Sequence, residues 1–208
     1  MSDKQIQILA FDLGNVLVDF DHTMAAKRIS YFCDKTPKEI FSLFFSSDIT
    51  NLFEQGKVSE RDFYSKVKEM LNLKLSYDSF VPIWNEVFML TPKNRAVYSL
   101  INSLRDRYKV VLISNTNILH FEYLKLKFPV FNIFHEVFVS YLLGLVKPDP
   151  LIYKAVTDKF NVAPEEIFYT DDRPDLVGAA GKLGINSFVF KDLNKLKIDL
   201  DSLGISKV

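Results

Sequence analysis

Cysteine is nearly absent from this chain, and charge of either sign is in no excess. Of 208 residues only Cys33 is a cysteine, so an internal disulfide and a thiolate metal cluster are both excluded. Lys plus Arg total 26 and Asp plus Glu total 26, a net charge of zero. Without a basic excess there is no sequence-independent grip on nucleic acid and no electrostatic hold on an anionic membrane. No N-x-Ser/Thr sequon occurs. Long hydrophobic runs are missing too. The most apolar stretch, 130–146, is interrupted by His135 and Glu136 and is too short to span a bilayer. The opening MSDKQIQILAFD has a short apolar run that ends in aspartate, which does not read as a signal peptide. The expectation is a soluble, cytoplasmic protein.

Apolar residues are plentiful: 48% are hydrophobic and 19 are phenylalanine, which fits a packed core and excludes disorder. At roughly 150 residues per domain, the length allows one large domain or one domain with an insert. Such a chain buries about 70% of its unfolded surface and needs no covalent staple. Short runs at 6–11 (IQILAF), 110–113 (VVLI), 167–170 (IFYT) and 187–190 (SFVF) read as strands buried on both faces. Helical patterns separate them. Thr91-Pro92 opens one that runs to about Arg107, and Asp149-Pro150 opens another that runs to about Phe160. This alternation predicts βαβ units in a doubly wound, Rossmann-like α/β fold with a parallel sheet. The stretch 20–90 is different. It lacks such strands and carries helix starts at Thr36-Pro37-Lys38-Glu39 and Ser59-Glu60-Arg61-Asp62. The predicted division is an α/β core of 1–18 and 91–208, with a helical insert of 19–90 after the first strand.

Ligands of open α/β sheets bind beyond the carboxyl ends of the strands. The polar residues at those ends are Asp12, Ser114 and the pair Asp171 and Asp172, and Lys147 precedes a helix start in GLVKPDP. Each alone has an ordinary reading as a turn former, a cap or a surface charge. Parallel, adjacent strands would bring them into one crevice. Two carboxylates at ~4 Å repel by about 4 kcal/mol at an effective dielectric near 20, so three together call for a cation. All-oxygen ligands favour Mg²⁺ or Ca²⁺, and a site with few protein ligands that shares a phosphate favours Mg²⁺.

The segments FDLGNVLVD, LISNTN, GLVKPDP and YTDD, in this order, resemble the four motifs of the haloacid dehalogenase-like hydrolases. The resemblance extends over essentially the whole chain, because the insert lies where that superfamily places a small helical cap. Gly14 in DLGNV and the string from Ser114 to His120 are similar to its sugar-1-phosphate phosphatase branch, which includes bacterial α-glucose-1-phosphatase. The resemblance implies a phosphatase that forms an aspartyl-phosphate on Asp12. It makes Ser114 and the following backbone N–H groups, with Asn115 and Asn117, the phosphate and substrate contacts. Lys147 would neutralise charge. Asp12, the Gly14 carbonyl, Asp171 and Asp172 would hold Mg²⁺. The implied partner is a small phosphorylated metabolite, a sugar-1-phosphate being the example, with neither nucleic acid nor membrane.

Two positions depart from the superfamily pattern. Its phosphatases usually carry a general acid two residues after the nucleophile, where this chain has Gly14. A polar residue is usual four after the second acid of the last motif, where this chain has Leu176, preceded by Asp175. Without an acid, esters of acidic leaving groups should react fastest, unless water, Asp21 or His22 supplies the proton. Asn117 and His120 either face the substrate or cap and pack a helix. Asp175 is either an outer contact of the metal or a helix-start residue. Trp84 and Phe53 read as core of the insert, and His135 as structural. Two rival functions fit less well. A halide-releasing enzyme needs no acid at position 14 but has no use for Asp171-Asp172. A weakly active phosphate-binding regulator is the other.

Overall fold

Residues 5–205 are described by the structure, a computed structural model. The first strand, β1 (Ile8–Phe11), is buried along its whole length. A strand covered on both faces is apolar at every position, so a continuous run marks it and not an alternation. After β1 come a two-residue strand β2 (Asp19–Phe20) and the helices α1 (His22–Ile29), α2 (Pro37–Ser46), α3 (Asp48–Glu54), α4 (Glu60–Leu71) and α5 (Tyr77–Asn85). The return strand β3 (Phe88–Met89) pairs antiparallel with β2. Then the chain alternates: α6 (Pro92–Leu104), β4 (Lys109–Ser114), α7 (Ile118–Lys127), β5 (Glu136–Val139), α8 (Ser140–Leu143) and α9 (Pro150–Phe160). It ends with β6 (Ile167–Asp171), α10 (Pro174–Gly181), β7 (Asn186–Val189) and α11 (Leu193–Ser202).

The main sheet has the order β5-β4-β1-β6-β7, and every pairing is parallel. Leu9 and Phe11 point into a core with Val97 and Ile101 of α6 and Leu200 of α11. Ile8 and Ala10 point the other way, towards Ile152 and Tyr153 of α9 and Ala180 of α10. Two covered faces make the sheet doubly wound, as predicted. The strand order reverses at β1, between β4 and β6, which places the topological switch point at its carboxyl end.

The five helices between β2 and β3 have a core of their own, built on Phe53, Phe63, Phe80 and Trp84 and reached by Leu119 of α7. Phe53 and Phe63 stack with ring centroids 4.2 Å apart. Burying a phenylalanine fully stabilises by about 1.5–3 kcal/mol, so this cluster makes the unit cohesive. Two of its helices, α2 and α4, begin at the caps the sequence marks. Thr36 accepts from the Glu39 backbone while Glu39 Oε2 accepts from the Thr36 backbone at 2.8 Å, and Ser59 accepts from the Asp62 backbone at 3.1 Å. Asp19 fastens the crossing between this unit and the sheet. It accepts from Lys93 Nζ at 2.6 Å, Asn94 Nδ2 at 3.1 Å and Thr91 Oγ1 at 3.1 Å.

Two features correct the sequence reading. Strand β5 was not anticipated. It is an edge strand whose first two residues are only half-buried, and Glu136 breaks the apolar run that would have marked it. The stretch 20–90 is not free of strands either, since β2 and β3 reach into its two ends. Two residues are too few for any periodicity to register. Among the described residues, no helix is long and apolar enough to cross a membrane.

Candidate active site

Asp12 follows β1 directly, and its backbone N–H donates to Thr170 O at 2.9 Å, which extends the β1–β6 ladder by one step. Ser114 ends β4 and Asp171 ends β6, so parallel register brings all three to one edge of the sheet. Lys147 enters from the segment between α8 and α9. Its Nζ lies 2.7 Å from Asp12 Oδ1, 2.6 Å from Asp171 Oδ2 and 3.0 Å from Ile113 O. The Lys147 side chain is 2% exposed and that of Asp171 1%. Tyr169 also donates to Asp171 Oδ2, and the Arg173 backbone N–H donates to Asp171 Oδ1 at 2.9 Å. Asp172 is held from the other side by Asn15 Nδ2 at 2.8 Å.

Carboxylate oxygens of Asp12, Asp171 and Asp172 all lie within 4.8 Å of one another. Burial pushes the Asp12 carboxyl up to about 6; Lys147 works against this rise, and Asp171 adds to it. Burial alone would lower Lys147, but the charges of Asp12 and Asp171 outweigh it and hold the ammonium above its ordinary value. Three carboxylates and one ammonium leave two negative charges in a largely buried place. A divalent cation balances them, and an oxygen-only donor set suits Mg²⁺. The residues present therefore fit this metal. The carboxylates open onto a cavity of about 320 Å³, which Leu13, Phe44 and Phe88 line on its apolar side.

Residues 6–184 match the haloacid dehalogenase-like hydrolase family. The chain belongs to that family. It is 25% identical over 189 residues to D-ribitol-5-phosphate phosphatase of Bacteroides thetaiotaomicron, covering 88% of this chain and 91% of that protein. It is 24% identical over 211 residues to glyceraldehyde 3-phosphate phosphatase of Pyrococcus furiosus, covering 95% and 86%. A haloacid dehalogenase-family enzyme of B. thetaiotaomicron, solved in complex with magnesium and inorganic phosphate, superposes with a TM-score of 0.81 at 29% identity, over 92% of this chain and 98% of that one. The phosphatase class and the Mg²⁺ cofactor expected from the motifs agree with these relatives.

In this hydrolase Asp12, Gly14, Ser114, Asn115, Lys147, Asp171 and Asp172 all line the one cavity. Asn117 does not. Its Oδ1 accepts from the His120 backbone at 3.0 Å and caps α7, and its Nδ2 lies 3.1 Å from His120 Nδ1. The Asn115 side chain is a strut: its Nδ2 donates to Lys147 O at 3.0 Å, and its Oδ1 accepts from Lys147 N at 2.7 Å. That pair of bonds fixes the approach of Lys147. Asp175 lies in the first turn of α10 and pairs with Arg173 at 2.6 Å, exposed and away from the cavity. The buried Leu176 does line it. His135 accepts from Val110 N at 3.0 Å, a structural role.

Sequence reasoning passed over several residues of this site. Asn15 adopts φ +55°, a left-handed conformation that asparagine tolerates, and so aims its amide at Asp172. Tyr169 reads as part of an apolar strand, yet its hydroxyl anchors Asp171. Arg173 and Glu54 line the cavity without belonging to any motif. An asparagine one residue after Gly14 was the only readable signal among these.

Proposed function

We propose that this hydrolase is a Mg²⁺-dependent phosphomonoester hydrolase that works through an aspartyl-phosphate on a small sugar or polyol phosphate. The observation that carries this reading is the cluster of buried Asp12 and Asp171 and half-buried Asp172, with Lys147 bonded between the first two. In the proposed first step an Asp12 oxygen attacks phosphorus and the ester oxygen leaves. In the second, water releases phosphate and regenerates Asp12. Splitting the displacement in two is the usual advantage of a covalent nucleophile. Phosphoryl transfer otherwise needs positioning and charge neutralisation. Lys147 stands close enough to Asp12 to provide both.

Asp12 and Asp172, with the Gly14 carbonyl, are the direct metal ligands in this reading. The oxygens of Asp171 are already taken by Lys147, Tyr169 and the Arg173 backbone, which suits it to orienting Lys147 and metal-bound water. Bound there, Mg²⁺ supplies positive charge to the phosphoryl oxygens. Ser114 and the Asn115 N–H hold those oxygens. The Thr116 loop is stiff enough for this, since Thr116 N donates to Ser140 Oγ and Ser140 Oγ donates to Thr116 O, both at 2.9 Å. Residues 19–90 act as a cap that covers the site, and β2 and β3 are its hinge.

A cavity of about 320 Å³ admits a small metabolite and little more. A metal-free halide displacement would have no use for three clustered carboxylates, two of them buried, so that rival is set aside. The test is a panel of sugar, polyol and aryl phosphates assayed for phosphate release with Mg²⁺ and with EDTA, with 2-chloropropionate alongside for halide. Mg²⁺-dependent release from at least one ester is expected. Halide release without ester turnover would overturn the reading.

A further inference from the structure

We propose that Glu54, carried at the end of α3 on the cap, is the general acid–base of the reaction and stands in for the carboxylate missing at Gly14. This inference rests on the phosphatase reading above. Position 14 lacks more than a carboxyl. A Cβ built there would lie 2.7 Å from Phe20 Cε1, so the Phe20 ring fills the space an acid would need. That ring is itself packed, with centroids 4.9 Å from His22 and 6.3 Å from Phe88. The proton must come from elsewhere in the cavity.

Few groups there can give one. Asp21 does not line the cavity, and its Oδ1 accepts from Thr23 N at 2.9 Å and Thr23 Oγ1 at 2.6 Å as the cap of α1. His22 and His120 do line it, but burial pushes them down to about 4 and about 3, so both rings are neutral near pH 7. Lys147 is committed to Asp12 and Asp171, and Asp172 to Asn15. Glu54 remains. No described residue donates a hydrogen bond to its carboxyl, which lines the same cavity as Asp12. Burial pushes it up to about 7, opposed by the positive charges of Arg173 and Lys147. A carboxyl poised near the working pH both gives and takes a proton effectively.

The fold also accounts for how a cap residue is held in place. The turn after Glu54 contains Gly56 at φ +65°, and a Cβ there would stand 2.2 Å from Tyr141 O of α8. Only glycine allows this approach, which presses the tip of the cap onto the core beside the cavity. The acid is therefore in position only when the cap is docked. In the first step Asp12 bonds to phosphorus, the ester P–O bond breaks, and the Glu54 proton goes to the departing oxygen to release an alcohol. In the second step Glu54 carboxylate takes a proton from water as that water bonds to phosphorus. The Asp12–phosphorus bond breaks, phosphate leaves, and Glu54 is protonated again.

The experiment is kcat/KM for the full chain with Mg²⁺ over esters of graded leaving-group acidity: 4-nitrophenyl phosphate, phenyl phosphate, a sugar-1-phosphate and a polyol phosphate with a primary alkyl oxygen. General acid catalysis typically contributes about 10²–10⁴-fold, and Glu54→Gln should lose that much on the alkyl ester and far less on the nitrophenyl ester. The dependence on leaving group, shallow in the native enzyme, should steepen sharply in the variant. Glu54→Asp keeps the acid but shortens its reach, and should show a smaller loss, again concentrated on alkyl esters. An equal loss on every ester, or none on any, would overturn the role of Glu54 while leaving the phosphatase reading intact. A native enzyme that hydrolyses no ester of the series would overturn both.

Discussion

Replacing Lys147 with methionine removes one ammonium from between two buried carboxylates and keeps most of the apolar stem. Oxygens of Asp12 and Asp171 lie within 4.8 Å of each other. At an effective dielectric near 20, unit charges at that spacing repel by roughly 3.5 kcal/mol. Removing one partner of a buried ion pair typically costs about 3–5 kcal/mol, a compatible figure. Asp12, already pushed up to about 6, can relieve part of the strain by taking a proton, so the lower end applies. A loss of about 3 kcal/mol in a chain of this size lowers Tm by roughly 6–12 °C. The assay is thermal unfolding of both proteins at pH 7.5 in EDTA and in millimolar Mg²⁺. The variant should melt lower in EDTA and gain more from Mg²⁺ than the native protein does, because the cation replaces the missing charge. It should also lose turnover. An unchanged Tm in EDTA, or a smaller response to Mg²⁺ than that of the native protein, would refute the electrostatic account of this site.

Two further changes probe the cap and its imidazoles. Gly56→Ala brings a Cβ to within 2.2 Å of Tyr141 O at a positive φ, so the cap tip should undock. Strain of about 1–2 kcal/mol corresponds to a roughly tenfold fall in kcat/KM with faster proteolysis near residue 56, and native behaviour in both would contradict the docking role. Burial holds His120 neutral down to about 3, with His22 adding to the effect, whereas the unfolded chain protonates it near 6.5. The stability tied to the neutral ring is present above pH 6.5 and is lost as pH falls towards 3, at up to about 1.4 kcal/mol per pH unit. Denaturant unfolding at pH 5 and pH 7 should therefore show a flatter pH dependence for His120→Gln than for the native protein, and equal slopes would contradict the neutral, buried ring.

The residues most readable from sequence were those that local rules place. Asp12 and Asp171 stand where continuous apolar runs stop, and such runs have to be buried strands. Helix α9 was readable in its start, Asp149-Pro150, and closely in its end, about Phe160. Residues whose role depends on distant parts of the chain were illegible. Glu54 looks like any acid at a helix end until α3 and the strand ends of the sheet come together around one cavity. Phe20 comes six residues after Gly14, and only the β2–β3 crossing swings its ring into the space beside it. Asn117 shows the converse. It stands in a motif read as phosphate-binding, yet helix capping claims its side chain. Strand β5, half-buried at the sheet edge, leaves too weak a pattern to read.

The central claim is that Asp12 becomes phosphorylated in a metal-dependent cycle. It is tested most directly by acid-quenching the enzyme during turnover of a phosphate ester and locating the phosphoryl group by peptide mass spectrometry, with Asp12→Asn as the paired variant. The account predicts one added phosphoryl group on Asp12 when Mg²⁺ is present and none in EDTA. It also predicts that Asp12→Asn, which keeps the shape but loses the attacking charge, falls by at least about 10³-fold in kcat. Mg²⁺-dependent turnover that persists at native rate in Asp12→Asn, or a phosphoryl group found on another residue, would contradict it.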